Sequence, residues 1–301
     1  MKITKVQKVA AYLGHSNAIY CISFDKDTQT LYSGSADGLI VEWKPGLSEN
    51  GISLVRVNAP VWSMLKHKHK LYIGTSKGNI HIIDLLERKE IRNIELHNKG
   101  VFQIVHTSYG IFTAGADGSV AQWDLDFNLI LRKKISDKSI RHIEPFPDNS
   151  GLLLACSDHT IYKINYKAEI CSVWKGHTLS VFTLCFLDTK SNNFISGGRD
   201  AVLKIWDQNK EIETIAAHLY AIYAISLSPC GKFVATSSMD KTIKIWDSTT
   251  FKLLKVIDYA KNQAHTNCVN KVLWVDNSSL ISCSDDRQIL HFKIEYEYDP
   301  K

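Results

Sequence analysis

Hydrophobic and polar positions along the chain fall into short alternating runs bounded by polar turn residues. Between His177 and His218 the runs are SVFTLCF, NFISGG, VLKIW and a weaker IETIAA. They are rich in β-branched and aromatic residues, which predicts four short strands. No useful window carries apolar residues at helical spacing. The chain therefore reads as all-β, built from units of four strands.

The unit recurs. RDAVLKIWD (199–207) has close copies in MDKTIKIWD (239–247), ADGSVAQWD (116–124) and ADGLIVEWK (36–44). Weaker copies are SKGNIHIID (76–84), SDHTIYKIN (157–165) and DDRQILHFK (285–293). The acidic position falls at Asp37, Lys77, Asp117, Asp158, Asp200, Asp240 and Asp286, in steps of 40, 40, 41, 42, 40 and 46. His15, His97, His177, His218 and His265 each precede it by 20 to 23 residues. A period near 40 marks a propeller or repeat array. The Gly14-His15 and Gly176-His177 dipeptides, and the endings Trp123-Asp124, Trp206-Asp207 and Trp246-Asp247, carry a resemblance to the WD40 repeat family over essentially the whole chain. The resemblance implies a seven-bladed β-propeller of four-stranded antiparallel blades, filling residues 1–301 as a single domain. The last copy stops after its third strand at Lys293-Ile294, leaving the tail EYEYDPK, while KVQKVAAYL stands unassigned before His15. That N-terminal run, about residues 5–13, is expected to complete the last blade and remove the exposed sheet edges.

The resemblance also implies a hydrogen-bonded tetrad within a blade. The sets are His15, Ser33, Asp37 and Trp43; His97, Thr113, Asp117 and Trp123; His177, Ser196, Asp200 and Trp206; and His218, Thr236, Asp240 and Trp246. The seventh blade has His265, Ser282 and Asp286, with Phe292 in place of the tryptophan. A partly buried Asp needs donors to offset its desolvation. The opposing reading, a Ser-His-Asp catalytic group, needs one constellation, whereas this one repeats at a fixed period. Blade two places Asn58, Ile73, Lys77 and Ile83 at the four positions, and blade four keeps only Asp158, with Lys138 and Ile164 at the His and Trp positions.

Function in such a ring is expected on the top face. Five residues after the five histidines stand Tyr20, Phe102, Phe182, Tyr223 and Asn270, and aligning the first strands of blades two and four adds Trp62 and Arg141. The family places these near the mouth of the central channel, as interface anchors or as packing between blades. Aromatic residues and Arg are the types enriched at interface hot spots. Just before the turn acid stand Ala36, Ser76, Ala116, Ser157, Arg199, Met239 and Asp285. Arg199 and Met239 break a mostly small set, so the sector over blades four to six is the expected docking patch. The loop Asp258–Asn267 is the longest top-side connection and is read as a wall of that site. On the opposite face, Lys66-His67-Lys68-His69-Lys70 is read as a solvated turn rather than a metal site, and Lys44–Gly51 as a connector.

Composition changes this picture little. The net charge is +5 and the pI about 8.7. That permits nucleic acid as a partner without favouring it. Seven cysteines, an odd number with no C-x-x-C spacing, read as free thiols in a reducing compartment. With no apolar run of membrane-spanning length and no signal-peptide pattern in the opening residues, the expectation is a cytoplasmic protein without a membrane role. The chain has no P-loop, no G-x-G-x-x-G after a strand, no H-E-x-x-H and no G-x-S-x-G. The expected function is a non-catalytic scaffold for protein or peptide partners, a subunit or adaptor in a complex, with no cofactor and no metal. An RNA- or ribosome-associated propeller is the alternative. An enzyme would need a deep channel pocket with an acid or base outside the repeat. The missing tetrads predict that amide hydrogens in blades two and four exchange faster than those in blades five and six; equal protection by hydrogen exchange would contradict this.

Overall fold

The computed structural model describes residues 2–46, 48–188, 192–207 and 210–297. These form seven four-stranded antiparallel sheets. Blade one runs Ile19–Asp25, Thr30–Ser35, Leu39–Lys44 and Ser48–Arg56, in sequence order from the channel outward. Blades two to six repeat that order, starting at Val61, Val101, Ile140, Val181 and Ile222. Blade seven takes Val269–Asp276, Ser279–Ser284 and Ile289–Glu297 from the end of the chain and Lys2–Tyr12 from its beginning. The closing strand starts earlier than the hydrophobic pattern indicates. Lys2 and Ile3 pair with Glu297 and Tyr296, so the first three residues of the tail EYEYDPK continue the third strand. Residues 298–301 of that tail, and Leu47 of the connector 44–51, lie outside the described residues.

The burial of each strand explains how legible it was. Second strands such as Thr30–Ser35 and Phe233–Ser238 are buried at every position, covered on both faces by neighbouring blades. They read as continuous apolar or small runs. Outer strands such as Lys89–Glu95 are almost wholly exposed and carry the weakest pattern. Among the described residues the buried apolar side chains fall into seven clusters, one in each gap between adjacent blades. The cluster at the seam joins Tyr12, Ile281, Cys283 and Ile289 of blade seven to Ile19, Leu31, Val41 and Trp43 of blade one. All seven cysteines are free thiols, with Cys21, Cys156, Cys185 and Cys283 buried. No helix is long and apolar enough to cross a membrane.

One turn of helix, Tyr259–Asn262, stands in the loop 258–267, too short to leave a periodic signal; the Asp258 side chain caps it by accepting from Lys261 N–H. This loop is tied to blade seven rather than standing as a wall over blades four to six. Asn262 donates to the Val6 carbonyl, and the Lys8 amine donates to the Gln263 carbonyl, so the loop packs on the outermost strand of blade seven.

Five His–Asp pairs lock the turns between second and third strands. In blade five the His177 Nδ1–H donates to Asp200 at 2.9 Å. The Ser196 hydroxyl donates to His177 Nε2 at 2.7 Å and accepts from the Trp206 indole at 2.7 Å. A carboxylate only accepts, which fixes the neutral imidazole as the Nδ1–H tautomer. The same connectivity joins His15 to Asp37 and Ser33 with Trp43. It joins His97 to Asp117 and Thr113 with Trp123, and His218 to Asp240 and Thr236 with Trp246. In blade seven it stops at His265, Asp286 and Ser282, above buried Phe292. The residue after the turn acid is left-handed in every blade. It is glycine in the first three (Gly38, Gly78, Gly118) but His159, Ala201, Lys241 and Arg287 in the rest, conformations that the tight turn imposes against steric preference.

Two positions shift relative to the sequence alignment. The residue in the His position is Val57 in blade two and Ser136 in blade four, not Asn58 and Lys138. Val57 and Ser136 donate their N–H groups to the carbonyls of Gly38 and Gly118, as His218 does to Ala201. Blade four therefore keeps a reduced lock, in which Asp158 accepts from the Ser136 and Tyr162 hydroxyls at 2.6 and 2.8 Å. Blade two replaces the lock with Val57, Ile73 and Ile83, all buried in one apolar cluster.

The locks make stability depend on pH. Burial holds the pKa of His15 and His218 below the ordinary histidine value, outweighing the pull of their aspartates. Burial acts to raise Asp37 and Asp240, but backbone N–H donors and the imidazoles outweigh it and hold both low. In the unfolded chain these groups regain ordinary values, so on acidification the unfolded state takes up protons first. Stability is complete above the unfolded histidine value of 6.5 and is lost as pH falls through it, then lost further below the unfolded aspartate value of 3.8. Glu144, pushed up to about 7 by burial, runs the other way as a single group. The melting temperature is expected to be lower at pH 5 than at pH 7.5; a melt independent of pH across that range would contradict this. Asp240→Ala, which leaves the His218 N–H buried without its acceptor, is expected to cost about 1.5–3 kcal/mol. Asp158→Ala, whose hydroxyl partners can turn elsewhere, is expected to cost less than half as much, with urea melts of the two variants as the check.

Candidate functional site

The first strand of every blade carries a β-bulge, and the residue it leaves out of register is the same each time. The register skips between Ile19 and Cys21, Val61 and Ser63, Val101 and Gln103, and Ile140 and His142. It skips likewise between Val181 and Thr183, Ile222 and Ala224, and Val269 and Lys271. The bulged residues are Tyr20, Trp62, Phe102, Arg141, Phe182, Tyr223 and Asn270. A bulge re-aims its side chain out of the pleat. Here all seven line one cavity of about 500 Å³ at the channel mouth, with Gln103, His142, Lys271 and Asp285.

Five of these side chains form a continuous stack. The Trp62 and Phe102 rings lie 4.7 Å apart at 14°, and Phe182 and Tyr223 lie 5.8 Å apart at 13°. The Arg141 guanidinium fits between the two pairs, 4.1 Å from Phe102 and 5.2 Å from Phe182. The packing and anchoring readings of these aromatics thus describe the same residues, whose faces meet neighbours while the cavity takes what remains. Arg141 Nε donates to Ser157 Oγ at 3.0 Å. Asn270 Nδ2 donates to Asp285 at 2.7 Å and to the Ile19 carbonyl at 2.9 Å. Burial lowers the pKa of Arg141 and raises those of Tyr20 and Tyr223.

Arg199 and Met239 do not join this ring. They line a separate groove of about 490 Å³ over blades five and six, with Thr178, Leu179, Leu219 and Tyr220. Leu219 is 83% exposed, Tyr220 58% and Met239 45%. Leu179, Leu219 and Tyr220 were missed in the sequence. Their signal is local: the residues after the tetrad histidine are Ser-Asn, Asn-Lys and Thr-Asn in blades one, three and seven, but Leu-Tyr in blade six.

A second layer below the rim was also missed. Lys271 and His142 each follow a bulged residue, and Glu144 lies deeper on the blade-four strand Ile140–Pro145. Burial drives His142 down to about 3, and its Nδ1 accepts from Leu184 N–H. Burial also lowers Lys271. The tetrads share the connectivity of a hydrolase relay, but Ser33, Ser196 and Thr236 have no exposed surface, and each hydroxyl is taken by an indole and an imidazole. No substrate reaches them. On the opposite face, Lys68 and His69 make the turn between Val61–His67 and Lys70–Thr75. His67 stacks on His106 at 4.0 Å while His69 faces Asp84 at 3.7 Å, so the two imidazoles diverge. Among the described residues no group of three or more His, Cys, Asp or Glu side chains is placed to hold a metal ion.

Comparison with known proteins agrees with this architecture. The family described as "WD domain, G-beta repeat" matches residues 6–44, 168–207, 209–247 and 256–293, just over half of the chain. The nuclear distribution protein nudF of Emericella nidulans is 24% identical over 86% of this chain and 65% of its own length. WD repeat-containing protein 55 of Rattus norvegicus is 24% identical over 81% of this chain and 66% of its own. This chain thus spans just under two thirds of each. The WD40 β-propeller domain of Doa1 superposes with a TM-score of 0.86 at 20% identity, covering 96% of this chain and 97% of that one. Its repeats matched over more than half its length and its seven blades closed into a ring, the chain belongs to the WD40 repeat family.

Proposed function

We propose that this propeller is a non-catalytic scaffold that docks a protein or peptide segment on its top face, acting as a subunit or adaptor in a cytoplasmic complex. The observation that carries the reading is the mouth itself: seven bulges aim seven side chains, five of them aromatic and one Arg, around a cavity of about 500 Å³. That size and lining suit an inserted side chain. Beside it, the apolar groove of Leu179, Leu219, Tyr220 and Met239 leaves large side chains in water, as interaction surfaces do. A segment crossing both sites would place one side chain in the mouth and an apolar one in the groove. Free thiols in all seven cysteines support the reducing compartment.

The test is affinity capture from the native cell with quantitative mass spectrometry, using matched variants. Leu219→Asp and Phe182→Ala are each expected to weaken retention of the specific partner by at least about tenfold, the scale of an interface hot spot. Leu86→Asp, an equally exposed site on the third-to-fourth-strand turn of blade two, is expected to leave retention unchanged. Retention indifferent to both top-face changes would overturn the reading.

A further inference from the structure

Resting on the docking reading, we propose that the side chain received by the channel mouth is a carboxylate, an Asp or Glu of the partner segment, held by Arg141 and Lys271 in the cavity that both line. Among the described residues neither cation makes an ion pair. Arg141 spends its two faces on Phe102 and Phe182 and its Nε on Ser157. Among the described residues no carboxylate lies within ion-pair distance of its guanidinium. The Lys271 amine, below the rim, makes no hydrogen bond or ion pair among the described residues, and its electrostatic neighbours are Cys21, Cys283 and Glu144. Two acids stand nearby, neither within ion-pair distance of Arg141 or Lys271 among the described residues. Asp285 lines the same cavity and accepts from Asn270, and Glu144, an electrostatic neighbour of Lys271, lies deeper and is pushed up to about 7 by burial. A half-buried cation without a partner is costly, and a carboxylate bound in the cavity that both line offsets part of that cost. The terminal guanidinium nitrogens that remain offer paired donors, the geometry a carboxylate accepts.

The stack also argues against a nucleobase as the occupant. Single-stranded nucleic acid binds by stacking bases on open aromatic faces. Phe102 lies between Trp62 and Arg141, and Phe182 between Arg141 and Tyr223, so both faces of each ring are taken. A side chain rather than a chain terminus is indicated by depth, since Lys271 follows the bulged residue and lies below the ring of rim side chains.

The experiment is an NMR titration of the full chain, read at the Trp62 indole N–H. The probes are acetyl-Ala-Glu-Ala-amide, acetyl-Ala-Gln-Ala-amide, acetyl-Ala-Ala-Ala with a free carboxylate, and inorganic phosphate. The glutamate peptide is expected to bind at least about fivefold tighter than the glutamine peptide, the scale of one partly buried charge pair. It is also expected to bind tighter than the other two probes. Arg141→Met, which keeps bulk in the stack, and Lys271→Met are each expected to reduce that preference to near unity, and Arg141→Lys to retain part of it. If Arg141→Met fails to fold, Lys271→Met alone decides. Equal binding of the Glu and Gln peptides would overturn the proposal while leaving the docking reading intact. Tighter binding of the terminal carboxylate or phosphate would overturn it, as would a preference that survives both Met variants. If no probe moves a mouth resonance, the proposal falls and the capture experiment alone judges the docking reading.

Discussion

No blade of this ring can bury its own faces. Each sheet is apolar on both sides, and the apolar clusters lie between sheets rather than within any of them. A blade is therefore stable only with a neighbour on each side, and a row of blades only when its ends meet. The meeting point is the strand Lys2–Tyr12, which supplies the edge that blade seven lacks and places Tyr12 against Trp43 across the seam, ring centroids 5.7 Å apart. The two ends of the chain are thereby tied into one sheet, and every other feature rests on that closure.

The mouth follows from the same constraint. Seven first strands converge on one channel, and the bulge that each carries turns one side chain toward the opening. Sequence-distant residues such as Trp62 and Tyr223 thus become members of a single stack running over five blades. The His–Asp pairs act on the same turns, pinning the loop between second and third strands in five of the blades. In blades four and seven the residue before the turn acid, Ser157 or Asp285, accepts from the bulged residue of its own blade. Hydrogen-bond donors and imidazoles outweigh desolvation at Asp37 and Asp240, whereas desolvation prevails at Arg141 and Lys271.

Much of this was legible in the sequence because the blade is a repeat. Asp, His and Trp recur at fixed spacing, and counting strands from both ends of the chain exposed the missing edge strand. The rim residues were legible for the same reason: a fixed offset from the histidine marks the bulge. Where the repeat decays, the reading slipped. In blades two and four the histidine is replaced by Val57 and Ser136, and without that landmark the alignment moved by one or two residues. Features peculiar to one blade were least visible. The exposed Leu219-Tyr220 pair, the cation Lys271 and the short helix Tyr259–Asn262 follow no period, and the stacking of Arg141 between two rings depends on curvature that no single strand encodes. The outward packing of the loop 258–267 likewise depends on the position of a strand about 250 residues away in sequence.

The central claim is that closure by the N-terminal strand holds the whole ring, mouth included. The most direct test deletes residues 2–12 and follows the indole N–H resonances of Trp43, beside the seam, and Trp62, in the mouth. Loss of the folded signals of both together, with the apolar wedges opening as one unit, is the predicted result. A truncated chain in which Trp62 keeps its folded shift and the remaining blades still melt cooperatively would contradict it.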